Sequence, residues 1–144
     1  MRRMTGAFPA APEFVSRARH DVEAFLSGDV PEEVMQTAAL LVSELAANAV
    51  LHARSPFTLT AELAAEFLRV EVEDTSPQLP EVRRPTRFST SGRGMFMVEA
   101  LSSRWGAEPT SGGKRVWFEL PLLRRPIRHS LEAGALTRRR FARL

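Results

Sequence analysis

Cysteine is absent from all 144 residues, which excludes disulfide staples, thiolate nucleophiles and cysteine-ligated zinc or iron–sulfur centres and fits a reducing cytoplasm. Histidine is scarce, and His20, His52 and His129 stand too far apart for a metal motif. Apolar runs stop short of the roughly 18 residues a membrane span needs. Met1-Arg2-Arg3 leads into proline-interrupted sequence rather than the apolar core of a secretory leader. The expectation is a cytoplasmic protein without a membrane partner. What is present is ordinary for a globular protein: 44% of residues are hydrophobic and 26% charged. A chain of this length makes one domain with a core and not two.

The net charge of +3 divides unevenly along the chain. Residues 124–144 hold seven Arg against Glu132 alone, a net of +6, which leaves −3 for residues 1–123. The expected organisation is therefore one folded domain over 1–123 and an Arg-rich, flexible tail over 124–144. A mildly acidic body argues against a specific nucleic-acid ligand, although a basic tail can hold phosphate backbones nonspecifically.

Helical spacing of Phe14, Ala18, Val22 and Phe25 predicts a helix over Glu13–Leu26, stopped by Ser27-Gly28-Asp29. A second helix should start near Pro31, with Glu32 and Glu33 at its positive end, and run to about His52. Phe57–Leu63 and Phe67–Glu73 alternate apolar and polar residues and read as a hairpin turning at Ala64-Ala65-Glu66. Thr75–Ser91, with Pro77, Pro80 and Pro85, reads as a long loop of the length that is usually functional or disordered. A third helix is expected from about Met95 to Ser103, then strands Arg104–Glu108 and Lys114–Leu120 around Ser111-Gly112-Gly113. That order predicts a two-layer α/β sandwich: a mixed, antiparallel-rich sheet with helices on one face.

Three features can carry chemistry. Within AALLVSELAANAVL, residues 38–51, the polar side chains are Ser43, Glu44 and Asn48. Glu44, Asn48 and His52 recur every four residues, which at about 100° per residue keeps them on one helix face. An amide and a carboxylate one turn apart suit a magnesium nucleotide, the oxygen ligand for a hard cation and the carboxylate to activate a hydroxyl. Taken alone, the stripe also fits a narrow solvent-facing band. Asp74 ends a strand, where it can simply start a turn or accept a hydrogen bond from an exocyclic amine such as adenine N6. Ser91-Gly92-Arg93-Gly94 opens a helix, where free amides and the helix dipole attract phosphate. A plain helix-entry turn fits that motif as well.

Together, and in this order, the three features resemble the Bergerat ATP-binding fold of histidine kinases, gyrases and heat-shock chaperone ATPases. SELAANAVLHA, VEDTSPQLP, GRGMFMVEALSSRWG and GKRVWFELP resemble more narrowly the small bacterial proteins related to anti-sigma factor serine/threonine kinases, over about Phe8 to Pro121. The resemblance implies ATP and Mg2+ as cofactors, Glu44 as catalytic base, Asn48 as magnesium ligand and His52 near phosphate. It implies Asp74 on adenine N6, with Thr75 and Lys114 in the same cofactor site. Gly92, Arg93 and Gly94 would hold phosphates, and Thr75–Ser91 would be the lid. Two departures stand out: Thr75-Ser76-Pro77-Gln78 replaces the glycines that usually follow the aspartate, and Gly113-Lys114 replaces Gly-Thr, removing a hydroxyl that helps position the base.

The chain is too short for the phosphoacceptor helices of a histidine kinase or the extra domain of a gyrase. The expected function is a stand-alone regulator that binds a sigma factor and phosphorylates an anti-sigma antagonist protein on Ser or Thr, with a homodimer allowed. The alternatives are a non-catalytic partner-binding module with an altered nucleotide pocket, or a nucleic-acid-associated protein working through its basic tail.

Overall fold

The computed structural model describes residues 1–82 and 93–123, and the backbone of 139–142. The elements are β1 (Arg2–Phe8), α1 (Glu13–Leu26), α2 (Glu32–Ala47) continued by a π-helical turn (Asn48–His52), and β2 (Phe57–Leu63). They continue as β3 (Phe67–Asp74), α3 (Arg93–Leu101), β4 (Arg104–Thr110), β5 (Gly113–Pro121) and β6 (Arg139–Ala142). One sheet runs β1-β2-β3-β5-β4-β6, antiparallel throughout except for the parallel pair β4 and β6. This is the two-layer α/β sandwich that the element order predicts.

The helices form where apolar side chains return every three or four residues. Ala18, Val22 and Leu26 on α1 and Ala38, Leu41, Val42, Leu45 and Ala46 on α2 are buried. They meet the inward side chains of the strands, among them Leu59, Val70, Val72, Val116 and Phe118, in one continuous core. Each buried Val, Leu or Phe among them contributes roughly 1.5–3 kcal/mol by leaving water. By length and mean hydropathy, 1.5, the helix Glu32–His52 would also suit a membrane span. Here its apolar stripe is the centre of the helical layer.

Two elements differ from expectation, one at each end of the chain. The sequence signals no strand before Phe8, yet β1 pairs with β2 along its whole length, Arg2 opposite Leu63 and Phe8 opposite Phe57. Only Met4 and Phe8 supply apolar side chains of any size to its inner face, so the alternation is too sparse to read. Tertiary contacts hold it instead. The Phe8 and Phe57 rings stack at 5.0 Å, and a Cβ on Gly6 would stand 2.9 Å from the Phe8 ring. Outside the sheet, Arg2 bridges to Asp29 at 2.6 Å and lies over the Phe25 ring at 4.7 Å. At the other end, within the stretch expected to be a flexible tail, Arg139–Ala142 adds to the edge of β4, Arg104 opposite Arg139 and Ala107 opposite Ala142.

The second face of the sheet carries no helix among the described residues. Its outward side chains form a charged lattice: Arg69 pairs with Glu71 at 2.8 Å and Glu119 at 3.1 Å, and Arg115 reaches Glu73 at 3.3 Å and Glu108 at 3.1 Å. Burial opposes the Arg115 charge, but the hydrogen bond it donates to Glu108 and the charges of Glu73 and Glu71 outweigh it and hold the guanidinium above its ordinary pKa. Trp117 lies flat in this lattice, 4.0 Å beneath the Arg69 guanidinium. Gly106 makes that possible, since a Cβ there would sit 2.7 Å from the indole.

Candidate functional site

The polar face of α2 points toward the N-terminal end of α3. A Cβ on Gly94 would lie 3.0 Å from Glu44 Oε2 and 3.5 Å from Asn48 Oδ1. Residues singled out in two separate segments of the sequence are therefore brought into contact, and glycine is what lets α3 approach this closely. Glu44 is half-buried. No hydrogen bond or ion pair to another described side chain occupies its carboxylate.

The helix does not stay α-helical to His52. From Asn48 the turn widens, with the Ala53 N–H donating to the Asn48 carbonyl at 2.9 Å and Ser55 N–H to the Ala49 carbonyl at 3.0 Å. Such π-turns shift the angular phase of the residues beyond them and occur often at functional sites. His52 is thereby exposed and no longer continues the straight stripe expected from a four-residue repeat. It still reaches the same cavity. Asn48, His52, Ser76, Gln78, Met95 and Lys114 line a cavity of about 350 Å³, within the size range of small-molecule sites. Glu44 itself does not line this cavity.

Asp74 sits at the C-terminal end of β3, opposite Phe57 on one side and Lys114 on the other. Its carboxylate is engaged. Lys114 Nζ lies 3.0 Å from Oδ2 and 3.1 Å from Oδ1, and the Ser76 N–H donates to Oδ1 at 2.9 Å. Both side chains are buried, 4% exposed for Asp74 and 7% for Lys114. Lys114 faces the cavity, whereas Asp74 and Thr75 border a second cleft of about 690 Å³ together with Phe8, Phe57 and Gly112.

Thr75 anchors the turn that leaves β3. Its N–H donates to Ser55 Oγ at 2.8 Å, and the two hydroxyls are 2.9 Å apart. Ser55, 1% exposed, is a residue that reading the sequence overlooks, since a lone Ser before Pro56 carries no local signal. Gly113 closes the arrangement: a Cβ there would collide with the Asp74 carbonyl oxygen and lie 2.6 Å from Thr75 Cα. The turn after Asp74 thus packs directly on the start of β5 without the glycines usual at this place.

Of the expected phosphate loop, Gly94 is placed as above, and Arg93 begins α3. Ser91 and Gly92 lie outside the described residues, as do Arg83, Arg84 and Arg87 of the expected lid. The described part of that loop, Thr75–Val82, folds along the cavity, where Leu79 and Val82 pack against the core and Pro80 and Glu81 add to the wall. Among the described residues there is no cluster of His, Cys, Asp and Glu able to hold a metal alone. Asn48 could serve only as one ligand beside phosphate oxygens, as its amide chemistry suits.

A family model for the histidine kinase-like ATPase domain matches residues 8–120. The chain belongs to that family. Membership makes it an ATP-binding domain of the GHKL type. Among solved structures, this ATPase domain is similar to the RsbU and RsbW domains of Rv1364c from Mycobacterium tuberculosis, with a TM-score of 0.67 and 19% identity over 87% of this chain and 34% of that one. It is also similar to the histidine kinase domain of the blue-light activated histidine kinase from Erythrobacter litoralis EL346, with a TM-score of 0.49 and 20% identity over 90% of this chain and 64% of that one. The chain thus spans about a third of the length of the first structure, and at these identities the likeness is one of fold. No curated protein matches this ATPase domain.

Proposed function

We propose that this GHKL domain is a cytoplasmic regulator of the anti-sigma type, which sequesters a sigma factor and uses Mg-ATP to phosphorylate a Ser or Thr of a small antagonist protein. The observation that carries the reading is the contact of Glu44 and Asn48 with Gly94 at the start of α3. It sets a half-buried carboxylate, an amide and a helix N-terminus around one point, beside a cavity of suitable size. The likeness in fold to a structure containing an RsbW domain supports the regulatory role.

In this reading Asn48 would hold Mg2+, which would supply charge neutralisation at the γ-phosphoryl group. Glu44 accepts the proton of the attacking hydroxyl as the oxygen–phosphorus bond forms and the bond to the β-phosphate oxygen breaks, releasing ADP. The amides at the start of α3 donate to phosphate oxygens. Gly94 leaves Glu44 the room to approach the hydroxyl.

Labelling of a candidate antagonist from γ-labelled ATP tests the proposal. Glu44→Gln should retain nucleotide and lose about 10²-fold or more in transfer, the scale of general-base removal. Asn48→Ala should weaken magnesium-dependent binding. A folded wild type that binds ATP and labels no partner would favour the second reading, a sequestering module without catalysis. The Lys114 contact on Asp74 favours that reading, because it occupies an acceptor the base would use.

A further inference from the structure

Ser55 joins the two segments that wall the cavity. Its N–H donates to the Ala49 carbonyl at 3.0 Å, which fastens the residue to the π-turn carrying Asn48 and His52. Its hydroxyl oxygen accepts from the Thr75 N–H at 2.8 Å, and the Ser55 and Thr75 hydroxyls are 2.9 Å apart. One small side chain, 1% exposed, thereby ties the end of α2 to the turn that leaves β3, twenty residues further along the chain. The backbone bends sharply to deliver it. Arg54 takes a left-handed conformation, φ 52°, which residues with a Cβ seldom adopt and which persists where surrounding contacts over-determine it.

The turn after β3 leans on side chains throughout. Its Thr75 N–H is accepted by Ser55 Oγ, its Ser76 N–H by Asp74 Oδ1 at 2.9 Å and its Gln78 N–H by Ser76 Oγ at 3.3 Å. Pro77 between them brings no N–H. Ser55 is the one acceptor in this series that comes from outside the turn and β3, so it sets where the turn stands relative to α2. Ser76, Gln78 and Leu79 then form one wall of the cavity, and Asn48 and His52 belong to the other. We propose that Ser55 is a positioning residue of the nucleotide site: its hydroxyl holds the turn after β3 in the form that shapes the first wall, while the second keeps its own backbone bonds. The inference rests on the nucleotide-binding reading above and deepens it.

The test is titration calorimetry of the full chain with ATP, in the presence and absence of magnesium, on the wild type, Ser55→Ala and Ser55→Thr, with thermal melting to show that each is folded. Ser55→Ala removes the acceptor of the Thr75 N–H and leaves the backbone bond to Ala49. It should bind ATP about tenfold more weakly under both conditions, the scale of one hydrogen bond. The gain in affinity from magnesium, which belongs to the Asn48 wall, should stay within about threefold of wild type, as for a site independent of the change. Ser55→Thr keeps the hydroxyl and should restore most of the lost affinity. A folded Ser55→Ala that binds ATP as the wild type does overturns the proposal, whatever its melting temperature, because Ser55 would then serve stability alone. Loss of the magnesium gain together with affinity overturns it too, as does a folded Ser55→Thr that binds no better than Ser55→Ala. If Ser55→Ala does not fold, Ser55→Cys, whose thiol accepts only weakly, carries the same comparison. A folded wild type that binds no ATP overturns the nucleotide reading itself, whereas failure of the Ser55 proposal leaves wild-type ATP binding intact.

Discussion

Replacing Lys114 by Met should be among the most costly single substitutions in this domain. The change keeps much of the apolar stem but removes the ammonium, leaving the Asp74 carboxylate, 4% exposed, with Ser76 N–H as its remaining described partner. Removing one member of a buried pair typically costs about 3–5 kcal/mol, because the other charge stays desolvated. Lys114 borders a cavity that water can enter, so the lower end, about 3 kcal/mol, is expected. Asp74→Asn keeps an oxygen for Ser76 and should cost less, about 1–3 kcal/mol. The double variant Asp74→Asn/Lys114→Met should be destabilised by less than the sum, with a coupling of about 1–3 kcal/mol. Urea denaturation followed by circular dichroism measures all four corners of the cycle. With a slope of about 1–3 kcal/mol per molar urea, the Lys114→Met midpoint should fall by roughly 1–3 M. A cost below about 1 kcal/mol for Lys114→Met, or an additive cycle, would refute the picture of a desolvated, mutually dependent pair.

Close contacts and the sheet edge set three further outcomes. Gly113→Ala should destabilise strongly, by more than the roughly 1–3 kcal/mol of ordinary overpacking, because the new Cβ meets the Asp74 and Thr75 backbone rather than a movable side chain; thermal melts read this directly. Gly94→Ala should leave the melting temperature unchanged or higher, since alanine favours helix by about 1 kcal/mol, while displacing the Glu44 carboxylate and slowing phosphoryl transfer about tenfold or more in the labelling assay. Truncation after Leu123 removes β6 and should speed amide hydrogen exchange in β4 over Arg104–Ala107, the stretch that β6 pairs, with little change at the buried strand β3. Unchanged exchange in β4 would mean that the pairing does not protect that edge.

How much of this molecule is legible in its sequence depends on how local each feature is. The bounds of α1 and the β2–β3 hairpin follow from spacing of apolar residues alone, because burial of one face repeats every three or four residues in a helix and every two in a strand. Glu44 and Asn48 also stand out locally, as polar residues in an otherwise apolar helix, and Asp74 and Gly94 by their places at a strand end and a helix start. β1 does not, since its Arg2, Arg3 and Thr5 are exposed and its register depends on β2, about fifty residues away. The π-turn at Asn48–His52 is equally hidden: the sequence continues a helical pattern, and only the carbonyl accepting from Ala53 shows that one turn has widened. The same holds for β6, whose seven-arginine surroundings read as a solvated tail until β4 offers an unpaired edge. Most telling is the pair Asp74 and Lys114. They stand forty residues apart, and the local pattern around either says nothing of the ion pair between them. The sheet register sets them side by side and the surrounding packing buries both, so a carboxylate that the sequence offers to a ligand is held by a partner that only the tertiary structure supplies.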